Sequence, residues 1–196
     1  MIEVTDFHRA VARHFADAIG IADPLFRRYA SDLGKGEIHM LSADDTPDPG
    51  VRTFSTVGLS AHPMRRNGAE FPVRLEMYGA SYAHCADIYG RVLSSAAFEV
   101  MTAGWICLPN VIFPGLFSLY PGASETMSDI FFADPYGWAE RLKSFKVEGH
   151  TVAWLMAVPI SRNEADFARE HGAARFVEHL EMAGIDVFDL NRRSTV

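Results

Sequence analysis

The sequence predicts an α+β fold in which a mixed, largely antiparallel β-sheet is flanked by helices. An amphipathic helix pattern opens the chain, several strand patterns follow it, and residues 152–168 pass from an apolar strand directly into a capped helix. The chain has 196 residues, of which 48% are hydrophobic and 22% charged, as in an ordinary folded protein. We expect residues 1–196 to form a single domain.

Two helices are predicted in the first half of the chain. Thr5 is a good N-cap, and Gly20 is suited to end the helix that follows it. A second helical pattern spans residues 88–101 and meets Gly104, another C-terminal stop. The first helix carries one apolar stripe, whose residues recur every four positions: Phe7, Val11, Phe15 and Ile19.

Three strands are predicted between these helices, at residues 37–41, 51–59 and 71–78. The last two are rich in β-branched and aromatic residues or alternate apolar with polar ones, and the turn signal Asn67-Gly68 lies between them. We expect these two strands to pair as an antiparallel hairpin. Residues 42–50 are dense in turn formers and predict a loop.

The second half of the chain begins with an apolar region, residues 106–124, that Pro and Gly interrupt too often for a helix. We expect one short strand or an extended segment there. Strands are predicted at residues 128–135 and 151–160. The nearly continuous apolar run of the second one predicts a central strand that is covered on both faces.

The last helix is predicted to begin at Ser161 and Glu164, which form a capping-box pattern, and to run to about Ala183. Gly184 is suited to end it. The segment IDVFDL, residues 185–190, predicts a final strand.

Composition and charge narrow the classes of function. A net charge of −7 argues against nucleic-acid binding, which concentrates Lys and Arg; it suits a basic protein partner, or simply solubility. We expect no secretory signal, because the first residues carry charge and lack an apolar stretch, and no apolar run is long enough to span a bilayer. Cys85 and Cys107 do not have zinc-ligand spacing and predict core thiols. We expect a cytoplasmic protein that binds no membrane, metal or cofactor.

A search for catalytic motifs yields only weak candidates. GLSAH, residues 58–62, resembles a nucleophile elbow but has His62 where that turn requires a second Gly, so a structural role is favoured for Ser60. The histidines lack metal-ligand spacing, and Gly34-Lys35-Gly36 lacks the rest of a phosphate-binding loop. We expect no catalytic residue.

Glu76 and Asp189 are a second weak candidate pair. Each lies in or at the end of a predicted strand, and two facing carboxylates could serve acid–base chemistry. The favoured alternative for Asp189 is a charge-assisted pair with Arg192 or Arg193 that orders the chain end. Glu76 is expected to pair with Arg74 or a basic neighbour, or to face solvent.

Many aromatic residues fall between positions 105 and 138. Most are expected in the core, but aromatic residues with a polar atom also suit the edge of a binding surface. The candidate interface residues are Trp105, Tyr120, Tyr136 and Trp138.

Four segments in order resemble the suppressor of fused domain family: residues 54–63 (FSTVGLSAHP), 71–78 (FPVRLEMY), 129–168 (from DIFFADP to NEADFA) and 187–194 (VFDLNRRS). One departure is Ala103-Gly104-Trp105, where the animal member has Ser-Gly-Asp, and it argues against the animal mode of peptide binding. A mainly structural role is implied for the motif residues Thr56, Gly58, Leu59, Ser60, Arg74, Glu76, Asp134, Pro135, Pro159, Glu164, Asp189 and Arg192.

The resemblance implies the fold of the N-terminal domain of suppressor of fused and a protein-binding module without enzymatic activity. The animal member is a two-domain clamp that holds a transcription-factor segment as an added strand. Bacterial members are implied to be immunity proteins that neutralise toxins. Two alternatives stay open: a hydrolase-like enzyme that uses Ser60 with His62 or Glu76 with Asp189, and a structural domain that assembles with itself through an exposed strand edge.

Overall fold

A computed structural model describes residues 4–31, 36–136, 138 and 140–196. Gly34 and Lys35 of the weak phosphate-loop candidate lie outside these residues. The helices are α1 (Asp6–Ile19), α2 (Ala86–Ala103), α3 (Arg162–His171) and α4 (Ala173–Ala183). The strands are β1 (Leu25–Ala30), β2 (Glu37–Asp44), β3 (Val51–Val57), β4 (Arg65–Arg66), β5 (Ala69–Glu70), β6 (Val73–Tyr82), β7 (Ile112–Phe113), β8 (Met127–Ala133), β9 (Phe145–Val147) and β10 (His150–Ser161).

Eight of the strands form one mixed sheet, in the order β1-β2-β3-β6-β10-β8-β7, with β9 also paired to β10. Only β6 and β10 run parallel, and the other neighbours are antiparallel. Strands β4 and β5 form a separate small hairpin. The fold is therefore α+β with a mixed, mostly antiparallel sheet, as predicted.

The sheet separates two hydrophobic cores. On one face α2 and the segment that follows it pack over residues such as Met77, Leu155 and Phe132. On the other face α1, α3 and α4 pack over Trp154 and Phe131. Alternate residues of β10 enter the two cores, so this strand is buried on both faces, as its apolar run predicts.

Strand β10 exchanges partners along one edge. Its first residues, His150–Val152, pair with β9, and Met156–Ser161 pair with β8. Between them, the described ladders leave Ala153–Leu155 without a strand neighbour on that edge. The chain that joins β8 to β9 begins here with Asp134 and Pro135, so the sheet has an opening beside its central strand.

A close approach of α2 to the sheet fixes the first core. The hydroxyl of Tyr89 donates a hydrogen bond to the Ala157 carbonyl of β10 at 2.6 Å. It passes over Gly79 of β6, where an added Cβ would lie 1.9 Å from the Tyr89 oxygen. Only glycine leaves room for this contact.

Most of the predicted elements are present. The helix after Thr5, which is the N-cap of α1, ends at Gly20, and α2 ends at Gly104. The predicted hairpin is the antiparallel pair β3–β6, while Asn67-Gly68 forms the turn of the small β4–β5 hairpin instead. Cys85 and Cys107 are both buried and free.

Several elements differ from the prediction. Strands β1 and β9 were not predicted, and β2 continues to Asp44, into the expected loop. The last helix is two helices, because the chain turns at Gly172, which has a φ of +86°. The segment 185–190 is a turn and not a strand, since its apolar residues Ile185 and Val187 pack against the second core without a strand partner.

A buried ion pair holds the C-terminal segment on the sheet. The guanidinium of Arg192 donates to both Glu164 oxygens, at 2.7 and 2.9 Å, and to the Pro159 carbonyl at 3.0 Å. Glu164 also closes the capping box of α3 by accepting from the Ser161 amide at 2.8 Å. The predicted pair of Asp189 with Arg192 or Arg193 is thus wrong. The Arg192 guanidinium turns to the α3 cap, and no described ion pair joins Asp189 to Arg193; Asp189 accepts from the Asn191 amide.

The same contacts set the charge state of Glu164. Burial raises the pKa of this carboxyl, but the hydrogen bonds from Arg192 and from the Ser161 and Thr195 amides outweigh burial and hold the pKa below its usual range. Both members of the pair are therefore charged near neutral pH. Removing one would leave the other buried without a counter-charge.

We expect Arg192→Ala to lower the free energy of unfolding by about 3–5 kcal/mol, the usual cost of breaking a buried ion pair. Urea denaturation near neutral pH measures the effect. The neighbouring exposed residue provides the control, and Arg193→Ala should change stability by less than about 0.5 kcal/mol. Equal effects of the two substitutions would contradict a locking role for Arg192.

Candidate functional site

The turn after β3 is built around a buried carboxylate. Glu76 of β6 is fully buried and accepts four hydrogen bonds. They come from the Thr56 hydroxyl at 2.5 Å, the Gly58 amide at 2.9 Å, the Ser60 amide at 3.1 Å and the Ser60 hydroxyl at 2.5 Å. We call Glu76 and its three partner residues, Thr56, Gly58 and Ser60, the Glu76 cluster. The expectation that Glu76 pairs with Arg74 or faces solvent is wrong; Arg74 pairs with Glu70.

The backbone of Gly58 makes this arrangement possible. Its φ of +112° lies in a region that L side chains rarely adopt, and it directs the amide toward Glu76. A Cβ at this position would also lie 3.0 Å from the ring of His8 on α1. The next residue, Leu59, is buried in the first core. The motif therefore joins α1, β3 and β6.

Burial controls the acidity of Glu76. It raises the pKa of the carboxyl above its usual value, and the four hydrogen bonds offset only part of that rise. No Lys or Arg of the described residues forms an ion pair with it. The cluster thus satisfies the amides of a turn but provides no charged partner for Glu76.

The hydrolase-like candidates do not form an open site. Ser60 and Glu76 do meet, but they are 1% and 0% exposed, so a substrate could not reach them. His62 is exposed on the surface and makes no described hydrogen bond to Ser60. Asp189 lies in the C-terminal turn, bound to Asn191 and not to Glu76. Neither proposed pair has the exposure and partners that catalysis requires.

The four candidate interface residues lie on two faces of the sheet. Trp105 and Tyr120 pack against the first core, where the Trp105 ring meets Phe113 edge to face and the Tyr120 hydroxyl lies 2.7 Å from the Ser95 hydroxyl. Tyr136 and Trp138 lie on the other face. Tyr136 is 73% exposed, the most open of the four.

Two apolar grooves flank the Asp134-Pro135 turn. The first, the β10 groove, has a volume of about 570 Å³ and lies at the opening beside Ala153–Leu155. Asp134 is the one charged residue among its described lining residues. Its apolar walls include Met64, Phe71, Leu75, Cys107, Leu108 and Leu142.

The second, the α4 groove, lies between α4 and the sheet. It comprises two adjoining hollows of about 620 and 330 Å³, which share Tyr136, Met156, Ile185 and Val187. The Tyr136 backbone is fixed at its rim, because its amide donates to the Tyr78 hydroxyl, which in turn donates to the Tyr136 carbonyl. Other lining residues are Phe131, Val158, Val177, Leu180, Trp138 and Phe188.

Sequence reasoning identified Tyr136 and Trp138 but not the groove that they border. The apolar pattern of residues 185–187, at one end of this groove, predicts a strand, whereas the structure has a turn there. The acidic lining residues of the groove come from three segments far apart in sequence, so no local spacing predicts them: Asp48, Asp134, and Glu181 with Asp186. Among the described residues, no group of three His, Cys, Asp or Glu side chains could hold a metal ion. None of the described helices is long and apolar enough to cross a membrane.

The Glu76 cluster generates a prediction about pH. Because the pKa of Glu76 is raised on folding, its contribution to stability is complete below the unfolded value, about 4.3, and is lost as the pH rises through the folded value. Glu76→Gln removes this titration. The wild-type free energy of unfolding should therefore fall relative to that of Glu76→Gln as the pH rises from about 4.

Urea titrations at a series of pH values measure this difference. Glu170→Gln, an exposed substitution on α3, is the matched control and should follow the wild-type curve. A wild-type stability that runs parallel to that of Glu76→Gln at every pH would show that Glu76 has the same pKa in both states.

Comparison with known proteins agrees with this architecture. The model of the family described as "Suppressor of fused protein (SUFU)" matches residues 34–193 of this chain. The Immunity protein YqcF of Bacillus subtilis is 35% identical over 193 residues, covering 98% of this chain and 99% of YqcF.

Two solved structures share the fold. A SUFU homologue from Neisseria gonorrhoeae has a TM-score of 0.71 at 15% identity, and the match covers 97% of each chain. Drosophila Suppressor of Fused has a TM-score of 0.63 at 16% identity, and the match covers 96% of this chain but 51% of the Drosophila protein. From the extent of the sequence match, this chain belongs to the suppressor of fused family.

Proposed function

We propose that this protein is an immunity protein that neutralises a toxin by binding it, without catalysing a reaction. The observation that carries the proposal is the 35% identity to the Immunity protein YqcF across nearly the whole of both chains. The partner in this proposal is a protein toxin, and the place of action is the cytoplasm.

The chemistry of the described residues supports binding over catalysis. Among the four candidate catalytic residues, the two that meet, Ser60 and Glu76, are sealed inside the turn that they stabilise. The two grooves are lined mainly by apolar side chains, as in sites that bind a partner. We also infer that the chain acts as one domain, since a single eight-stranded sheet organises both cores.

Self-assembly through a strand edge receives less support. Strand β1 is an edge strand with exposed Leu25 and Phe26, which could in principle pair with a second copy. In an antiparallel pair centred on this strand, however, Arg27 and Arg28 of the two copies would face each other. Like charges directly opposite destabilise such a pair.

Co-expression with a candidate toxin domain tests the function, and the first candidates to try are domains encoded by neighbouring genes. We expect the protein to restore growth, and the purified proteins to inhibit toxin activity in a titration that ends at a fixed stoichiometric ratio. Binding also leaves the toxin unaltered, so its intact mass should not change and its activity should return after the complex is separated. Inactivation of many toxin molecules by one copy would contradict a binding mechanism.

Ser60→Ala distinguishes neutralisation by binding from neutralisation by catalysis in the same assay. The substitution removes one buried hydrogen bond, which costs about 1–3 kcal/mol of stability, but a binding protein that stays folded should still neutralise the toxin fully. Circular dichroism verifies folding. Loss of neutralisation by a folded Ser60→Ala protein would favour the enzyme hypothesis.

A further inference from the structure

The charged residues of the α4 groove all have the same sign. Asp48, Asp134, Glu181 and Asp186 line its two hollows, and their side chains are exposed. No Lys, Arg or His is among the described lining residues. The described ion pairs involve none of these four carboxylates. The groove thus combines an apolar interior with a rim of uncompensated negative charge.

The acidic field extends beyond the rim. Asp186 accepts a hydrogen bond from the Tyr82 hydroxyl at 2.7 Å, and Asp48 and Asp189 lie near enough to act on the same group. The hydrogen bond to Asp186 and the negative charges of these residues raise the pKa of Tyr82. Clusters of one sign raise the local concentration of oppositely charged partners and increase their rate of association.

The apolar part of the groove has the features of a docking site. Its floor is sheet residues such as Met156 and Val158, and one wall is formed by Val177 and Leu180 of α4. One large side chain stands out at its rim, Tyr136 at 73% exposure. An exposed aromatic side chain next to an apolar groove is typical of protein interfaces.

Charge identifies the kind of occupant. A second copy of this chain carries a net charge of −7 and would be repelled from an acidic rim. The β10 groove has Asp134 as its one charged described lining residue, so its charge does not favour a basic partner to the same degree. We propose that the α4 groove receives a segment of the toxin whose apolar side chains fill the groove and whose flanking Lys or Arg residues face the acidic rim.

This inference rests on the proposed function for the identity of the partner, and charge reversal at the rim tests it. The variant is Asp48→Lys with Asp134→Lys and Glu181→Lys, three exposed residues whose side chains make no described hydrogen bond or ion pair. The matched control is Asp23→Lys with Glu125→Lys and Glu170→Lys, which changes the net charge equally at exposed positions that do not line the groove.

We expect the rim variant to associate with the toxin at least about tenfold more slowly than the control variant, measured by stopped-flow at low salt. The difference should shrink as salt increases, because salt screens exposed charges. Equal association rates of the two variants would overturn the proposed groove.

Tyr136→Ala should also weaken binding, whereas Leu119→Ala, which removes an exposed side chain that does not line the groove, should not.

A second measurement does not require the toxin. Two synthetic amphipathic peptides of equal length, one of Leu and Lys and the other of Leu and Glu, are titrated into the isotopically labelled protein and followed by NMR. The Leu/Lys peptide should shift the resonances of Val177, Ile185 and Val187, and the Leu/Glu peptide should not. Equal shifts from both peptides, or shifts confined to the β10 groove, would overturn the inference.

The two measurements separate the possible failures. If the wild-type protein does not bind the toxin, the proposed function is wrong, and the peptide titration still decides whether the groove accepts basic segments. If the wild-type protein neutralises the toxin but the rim variant is as effective as the control variant, the immunity function stands and the groove assignment is wrong.

Discussion

Along one edge, strand β10 pairs first with β9 and then with β8, and this exchange of partners determines where both grooves lie. The strand is buried on both faces, so it must be hydrogen-bonded on both edges over most of its length. Along one edge this requires two separate strands, β9 and β8. The chain between them leaves the sheet at Asp134, and both grooves lie beside this point. The position of the candidate interface follows from the way in which the central strand is completed.

The family motifs and the candidate interface have separate roles in this arrangement. Glu76 holds the turn after β3, and Glu164 with Arg192 ties the C-terminal segment to the end of β10. Both carboxylates are completely buried, so they act on the scaffold and not on a partner. The exposed Tyr136, Asp134 and Glu181 line the α4 groove instead. A fold of this kind can therefore retain its internal polar contacts while its grooves vary with the partner.

The sequence predicts those features that depend on neighbouring residues. The continuous apolar run of β10 and the Thr5 and Ser161 caps were identified because helices and buried strands have local signatures. Strand β1 was missed because an exposed edge strand needs no apolar alternation. The hydrogen-bond partners of Glu76 could not be predicted from local spacing, since its donors lie 16 to 20 residues away and meet it only through strand pairing. The acidic rim likewise arises from tertiary packing, because Asp48, Asp134 and Glu181 belong to three distant segments.

Hydrogen–deuterium exchange of the protein, alone and with the toxin bound, locates the surface that the toxin covers. It reports on the whole backbone, and it does not depend on any substitution. We expect toxin binding to slow exchange in residues 174–187 and 134–136, around the α4 groove, and to leave the α2 face of the sheet unchanged. Slower exchange confined to α2 and residues 105–120, or no change anywhere in the presence of a toxin that is neutralised, would contradict this expectation.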